Sequence, residues 1–600
     1  MKAGLMRTIW QYALLSALLG LLTLFLLVPI ALTVRGGFAD DPATGTGWTL
    51  RHLQLVFEDP TLVQGLFNAL QLAVVATFFS ILLALPLAIV AARYKLPGKA
   101  FWNAAVLVPL ILPPFVGALG MKAILGRQGM LNSLLGTDID YLGGQFDVLG
   151  IDGRLFAVAF VVALHLYPII YLNATAALAN LDPALDEAAE NLGAGGWKRL
   201  FKITLPLIRP GLFAGSTIVF IWAFTELGTP LIFDYTTTTP VQIFYGLQQI
   251  ESSAEPYALT VVLLTSAVIF YLVGKIAFGG KAYAMYAKAS RAGSEKALPW
   301  WGSLLAVGGF AFVTLLAVLP HLGVVLVSLT EPGQWYRTVL PTSWTTGHFE
   351  QALSAPDSFN AIKNSLQLSS MAVVLNVGLG ILIGYIIVRT KLVGRNLLDS
   401  LCMLPLAVPG LVMAFGYVAL TLQWPVPQIR EWLAGQGMGE LARMLSVTST
   451  VSSEDPTLTP NPFLLLTIAY AVRRLPYIVR STVAGLEQTS GELEEAAVNL
   501  GASRITAVRK VIVPLIMANL IAGGLLVFSF SMLEVSDSLI LAQQEIHYPL
   551  TKAIYAFTMR LGDGPYIASA MGVWGMALLT TALFGASLLL GKKLGAIFRV

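Results

Sequence analysis

The chain has 600 residues, 56% of them hydrophobic and 12% charged, with a mean hydropathy of +0.75 and a formal net charge of +4. Soluble proteins average roughly a quarter charged residues, so this composition excludes a soluble globular domain and indicates a polytopic membrane protein. The single cysteine, Cys402, excludes an intrachain disulfide and a thiolate metal cluster, and the basic excess is a matter of loop charge rather than nucleic-acid binding.

A helix needs about 20 apolar residues to cross a bilayer. Such runs fall near 9–34, 63–92, 102–124, 155–178, 209–231, 257–278, 301–328, 363–388, 398–422, 462–480, 515–541 and 567–590. The expected fold is therefore all-α, with about 12 transmembrane helices. The first run is longer than a signal-peptide core and has no convincing small-residue cleavage site, so it reads as a retained helix. With the amino terminus inside, Lys and Arg concentrate in the cytoplasmic segments, as the positive-inside rule requires. Both termini are then cytoplasmic.

The chain is duplicated. Asn68, Leu70, Gln71 and Leu72 recur 296 residues later as Asn364, Leu366, Gln367 and Leu368, and Pro109, Pro113 and Gly120 parallel Pro405, Pro409 and Gly416. Further on, Glu187-Ala188-Ala189 returns as Glu495-Ala496-Ala497 at an offset of 308, leaving 12 extra residues for an external insertion within 423–460. The expected units are an extra helix with its external loop (1–62), a first transmembrane domain (63–278), a cytoplasmic linker (279–300), a second extra helix and loop (301–362), and a second transmembrane domain (363–590). An even number of spans before the linker makes the halves parallel repeats about an axis normal to the membrane.

In both polar loops the step from glutamate to glycine is 6 residues and from glycine to proline 13, ending at Pro206 and Pro514. Asp182-Pro183 predicts a helix start, and Thr489 with Glu492 predicts a capping box. Gly193 and Gly501 stand where those helices stop. A second short basic helix follows each glycine, and the prolines are expected to end it. Leu, Trp, Phe and Ile exposed among charges on such a helix pair suit insertion into a partner's groove.

These loops resemble the signature of the inner-membrane permeases of binding-protein-dependent ABC importers: Glu-Ala-Ala, three residues, Gly, nine residues, Ile-x-Leu-Pro. Glu187, Ala188, Ala189, Gly193, Ile203, Leu205 and Pro206 fill it, whereas the second copy has Val511 and Val513 at the aliphatic places. The resemblance implies a type I importer permease fold with two coupling helices. It also implies partners: two ATP-binding subunits (a homodimer) and a periplasmic or lipoprotein receptor. Two halves in one chain resemble the ferric-iron permease group, with Fe(III) as the expected cargo and thiamine, polyamine or 2-aminoethylphosphonate as alternatives. No stretch reads Gly-x-x-x-x-Gly-Lys-Ser/Thr. The chain is thus expected to be a non-enzymatic permease without a cofactor, its partners binding ATP and Mg. The expected location is a bacterial or archaeal inner membrane. A secondary carrier with two parallel repeats is the rival architecture, but it has no use for matched docking loops.

Ionisable residues inside spans tend to face a cavity or a partner. Glu226 and Glu534, 308 apart, are candidates for an acidic pair along the pathway, which would suit a hard metal ion. The alternative is that both only hydrogen-bond at span ends. His165 is a candidate ligand or a packing residue. Arg473 and Arg474, opposite His165 and Leu166 in the repeat, fit either an anionic ligand or a salt bridge to Glu534. The prolines at 109, 113, 405 and 409 are expected to break spans three and nine and free carbonyls there.

Overall fold

In hydrocarbon a backbone of Leu, Val, Ala and Phe must satisfy its own hydrogen bonds, and within a single segment only the helix does so. The computed structural model describes residues 2–40, 46–143, 146–148, 150–181, 183–247, 253–278, 296–423, 425–447 and 460–590. Asp182, most of the inter-half linker and the 448–459 part of the insertion lie outside the described residues. The rest of the insertion forms two short helices, Val426–Gly435 and Gly439–Met444.

Among the described residues seven helices are long and apolar enough to cross a membrane: Ile9–Phe38, Pro60–Arg93, Gly153–Ala179, Gly196–Phe224, Glu255–Ala277, Trp300–Ser328 and Pro356–Arg389. Three bent pairs raise this to ten: Lys99–Ile111 with Pro114–Leu135 (90°), Arg395–Leu406 with Gly410–Leu422 (105°), and Arg504–Leu515 with Met517–Met532 (76°). Twelve were expected. The two other runs are helical, Phe463–Glu487 and Gly564–Leu590, but Arg473, Arg474 and Arg480 make the first too charged to qualify on apolarity.

The proline pairs break spans three and nine as expected. Pro113 has no N–H to give the Pro109 carbonyl, so the helix ends at Ile111 and restarts at Pro114. In the second half a 3-10 turn, Leu404–Leu406, precedes the restart at Gly410.

Each half lends its opening helix to the other. The Val28–Phe38 helix lies against Gly410–Leu422 of the second half, and Trp300–Ser328 lies against Pro114–Leu125 of the first. Both crossings are backbone on backbone. A Cβ on Gly120 would collide with the Pro320 carbonyl and the Val324 nitrogen, and one on Gly416 would stand 2.8 Å from the Pro29 carbonyl. Beside the second crossing the first helix carries a π-turn, Thr23–Leu27, and the Tyr417 hydroxyl donates to the Phe25 carbonyl at 2.7 Å. The repeat is visible in detail elsewhere. Asn68 Nδ2 donates to the Thr237 carbonyl at 2.7 Å, while Asn364 Nδ2 donates to the Ile546 carbonyl at 3.0 Å. Two residues of the linker's end, Lys296–Ala297, pair in parallel with Tyr94–Lys95 and tie it to the first half.

These crossings predict a sharp contrast between glycines. Gly416→Leu is expected to lower stability by about 3 kcal/mol or prevent accumulation, because the obstacle is backbone. Gly308, with nothing within 4 Å of its would-be Cβ, should accept Leu within about 0.5 kcal/mol. Thermal unfolding in detergent compares the two; equal melting temperatures would refute the tight crossing.

Candidate functional site

The two polar loops have the same backbone. Pro183–Asn191 and Glu492–Asn499 form the first helices, and Gly196–Arg199 and Arg504–Ala507 begin the second. Gly193 has φ +77 and Gly501 φ +95. The Gly193 N–H donates to the Glu190 carbonyl at 2.9 Å and that of Ala194 to the Ala189 carbonyl at 2.9 Å; Gly501 and Ala502 repeat this with Val498 at 2.9 Å and Ala497 at 3.0 Å. This is a Schellman stop, and its left-handed residue favours glycine. Ala188, Glu495 and Ala496 are exposed, Ala189 is buried and Ala497 half-buried. Glu187 lies on the first helix, but its side chain is outside the description.

The chain then turns matched apolar side chains outward. Leu192 is 88% exposed and its equivalent Leu500 89%; Trp197 is 76% exposed and its equivalent Ile505 81%. Trp197 stacks on Phe201 with ring centroids 5.9 Å apart. Arg199 and Lys296 hold the exposed Glu190 at 2.5 and 3.0 Å, Lys296 foremost in keeping its carboxyl below the usual range. In the second loop Glu494 is instead buried and accepts from the Tyr385 hydroxyl at 2.5 Å.

Two details differ from the sequence expectation. The second loop has no Thr489–Glu492 capping box. Gly491 is the N-cap, Ser490 Oγ accepts from the Glu492 N–H at 3.2 Å, and the Thr489 hydroxyl donates back to the Gly485 carbonyl at 2.8 Å. Nor does Pro206 end a helix, although in the second half the helix stops one residue beyond Pro514, at Leu515, and bends by 76° into Met517–Met532. The π-turns Leu200–Thr204 and Val508–Ile512 carry the chain past them, with the N–H of Leu205 reaching the Leu200 carbonyl and that of Val513 the Val508 carbonyl. The wider turn accommodates a residue that cannot donate.

At the far ends of the spans that follow the loops, Glu226 and Glu534 both cap a short buried helix. Glu226 accepts from the Thr229 N–H at 3.0 Å and hydroxyl at 2.9 Å, and Glu534 from the Asp537 N–H at 3.4 Å. They are not equivalent electrostatically. Arg473 Nη1 lies 2.7 Å from Glu534 and 3.6 Å from Asp537, and Arg474 contacts both Glu534 and the Phe530 carbonyl. Glu534, Asp537 and Arg474 are buried, whereas the Arg473 side chain keeps 23% of its surface. Two cations thus balance two anions, as burial in low dielectric demands. The salt-bridge alternative for Arg473 and Arg474 is the one realised, and Glu534 is not a free partner for Glu226. Arg473 lies against Gly410, where a Cβ would overlap the guanidinium.

His165 has a structural task. Its Nδ1 meets the Pro109 carbonyl at 2.8 Å, the group orphaned by Pro113, and His321 Nε2 meets the Pro113 carbonyl at 3.3 Å. In this arrangement it supplies a partner for the carbonyl at the break. Sequence reasoning missed Asp537, His321 and Lys552. The first stood three residues beyond Glu534, with helical spacing as its only signal; the other two have no counterpart of the same type in the other half.

The family model for binding-protein-dependent transport system inner membrane components matches residues 84–278 and again 376–588. A putative ferric transport system permease protein of Haemophilus influenzae is 25% identical over 520 residues, 86% of this chain and 75% of the relative. The ferric transport system permease protein of Actinobacillus pleuropneumoniae is 25% identical over 576 residues, 93% of this chain and 75% of the relative. A molybdenum transport system permease protein of Escherichia coli is 27% identical over 226 residues, 37% of this chain and 95% of the relative.

The ion cluster predicts strong non-additivity. Arg474→Met alone leaves buried carboxylate uncompensated and should cost about 3–5 kcal/mol. Combined with Glu534→Gln, much of that loss should return. A double-mutant cycle by thermal unfolding measures the coupling, and simple additivity would show that the two charges do not depend on each other.

Proposed function

The chain belongs to the family of binding-protein-dependent transport system inner membrane components, and from that premise we propose that it forms, alone, the whole translocation pathway of a ferric-iron importer. It is the transmembrane part of an ABC importer and not an enzyme; a separate subunit hydrolyses ATP. The secondary-carrier reading falls with the family match. The cargo reading rests on the ferric relatives, which align along nearly the full chain.

The observation that carries the mechanism is the pair of matched loops, each with a glycine stop and two exposed apolar side chains in register. They are coupling helices, one for each ATP-binding subunit of a homodimer, which binds ATP and Mg. Both loops and both termini face the cytoplasm, and the receptor docks on the opposite face. The two transmembrane domains, 63–278 and 363–590, rock against each other about the pseudo-two-fold axis. The first coupling loop leads into Gly196–Phe224, which runs toward Glu226, and the second leads through the Met517–Met532 helix to Glu534. Motion of the docked subunits therefore reaches the charged centre through one unbroken helix in the first half and, in the second, across the 76° bend between Leu515 and Met517.

Glu226 and the part-exposed Arg473 are the residues assigned to the pathway. Glu226 offers the hard oxygen donor that Fe(III) favours, while Arg473 holds Glu534 and Asp537 away from the ion. In this reading the second half supplies the framework and the first half the contact.

ATPase activity of the chain with its ATP-binding subunits in lipid should rise only with an Fe(III)-loaded receptor. A response to a thiamine or aminophosphonate receptor would replace the cargo, and failure to form any complex would overturn the importer reading. Gly193→Val and Gly501→Val force a β-branched residue into the left-handed region, at about 1–2 kcal/mol each. Both should abolish transport and weaken docking while membrane insertion persists. Glu226→Gln should cut iron uptake about tenfold and leave docking intact; undiminished uptake would remove Glu226 from the pathway.

A further inference from the structure

The helices Thr239–Gly246 and Leu550–Thr558 occupy equivalent places in the repeat. Pro240 and Pro549 open them 309 residues apart, and Pro256 with Pro565 and Tyr257 with Tyr566 follow at the same offset. Both lie beyond the ends of the spans that start in the docking loops, and so on the opposite side from those loops. They touch each other. The rings of Phe244 and Tyr555 stand edge to face at 5.9 Å. Their neighbours do likewise: a Cβ on Gly228 would meet Val535 at 2.8 Å, the two residues belonging to the equivalent caps that follow Glu226 and Glu534. Two elements related by a two-fold operation can meet only near the axis, which is where a pathway between the halves must pass.

At this contact the halves carry different side chains. Ile243 of the first half is fully buried, and its equivalent is Lys552, 8% exposed. Lys552 Nζ donates to the Leu539 carbonyl at 2.9 Å and sits over the ring of Phe244, 5.3 Å from its centroid, and over that of Tyr548 at 5.6 Å. An ammonium has three donors. One goes to the carbonyl, and the aromatic faces take the remaining charge, one of them from the opposite half. The cation is desolvated, which places the cation–π attraction at the strong end of its range. Separating the halves here would strip Lys552 of Phe244.

We propose that Lys552 is a positioning residue that latches the gate opposite the docking loops, by clamping Phe244 of the first half to the second. The latch deepens the importer reading and rests on it for the direction of transport. It holds the entry closed until a receptor forces the halves apart. Its positive charge also opposes a ferric ion at the closed gate. Losing a desolvated cation–π clamp should shift the closed-to-open ratio by about fivefold to thirtyfold.

The test needs no partner protein. In the full chain in lipid nanodiscs, Ile243→Cys reports gate opening through its reaction with a membrane-impermeant maleimide, and the native Cys402 is buried. Ile243→Cys alone should react slowly. Adding Lys552→Met, which keeps the length and removes the charge, should accelerate labelling about fivefold or more, and Lys552→Arg should restore it to within about twofold. Labelling unchanged by Lys552→Met would overturn the latch, as would an equal acceleration by Lys552→Arg, since a packing role would not distinguish charge. In the complex with ATP-binding subunits, Lys552→Met should also raise ATPase activity without receptor. Faster labelling in a chain that never associates with such subunits would keep the latch and defeat the importer reading.

Discussion

The close crossings at Gly120 and Gly416 hold the molecule together as one object. Backbone meets backbone at both, and each joins an opening helix of one half to the broken span of the other. In hydrocarbon there is little hydrophobic drive between helices, so dispersion at short range and interhelical hydrogen bonds must supply the association. Glycine permits that approach. The exchange also means that neither half can move without carrying a helix of the other, which favours rocking of two interlocked bodies over their separation.

Breaking spans three and nine creates a second obligation, because a carbonyl without its N–H partner is costly in a dry interior. The first half meets it with imidazoles, His165 at Pro109 and His321 at Pro113. The second half has Arg473 at the position of His165, laid over Gly410, and with it a buried set of carboxylates and a second guanidinium. Divergence after duplication has thus left imidazoles at one break and an ion-paired set at the other. A buried ionic set is poor evidence for stability but fixes geometry well. That suits a half that acts as the frame against which the other moves.

The helix that carries Arg473 also joins this centre to the second polar loop. Arg473 stands 14 residues before Glu487, where the Phe463–Glu487 helix gives way to the second loop, a distance of about 21 Å along a helix. Glu534 closes the span that leaves that loop. The helix that enters the loop therefore carries Arg473 midway along it, and the one that follows the loop ends two residues before Glu534.

The sequence by itself determined the membrane class, the duplication and the paired helix–glycine–helix loops, because each depends on local quantities: apolar run length, residue spacing, and the glycine that a left-handed stop requires. Gly193 and Gly501 were legible for that reason, and so were the breaks at Pro113 and Pro409, since a missing N–H is a property of one residue. Partners across space were not legible. The equal spacing of Glu226 and Glu534 implied equal roles, yet only the tertiary structure placed two guanidiniums on one carboxylate and, among the described residues, none in ion pairing with the other. Nor was the partner of His165 legible, since the Pro109 carbonyl lies 56 residues away. Lys552 carried no signal at all, because its environment is a ring from the other half. Burial and pairing of charge are decided by which helices meet, and that is a property of the packed whole.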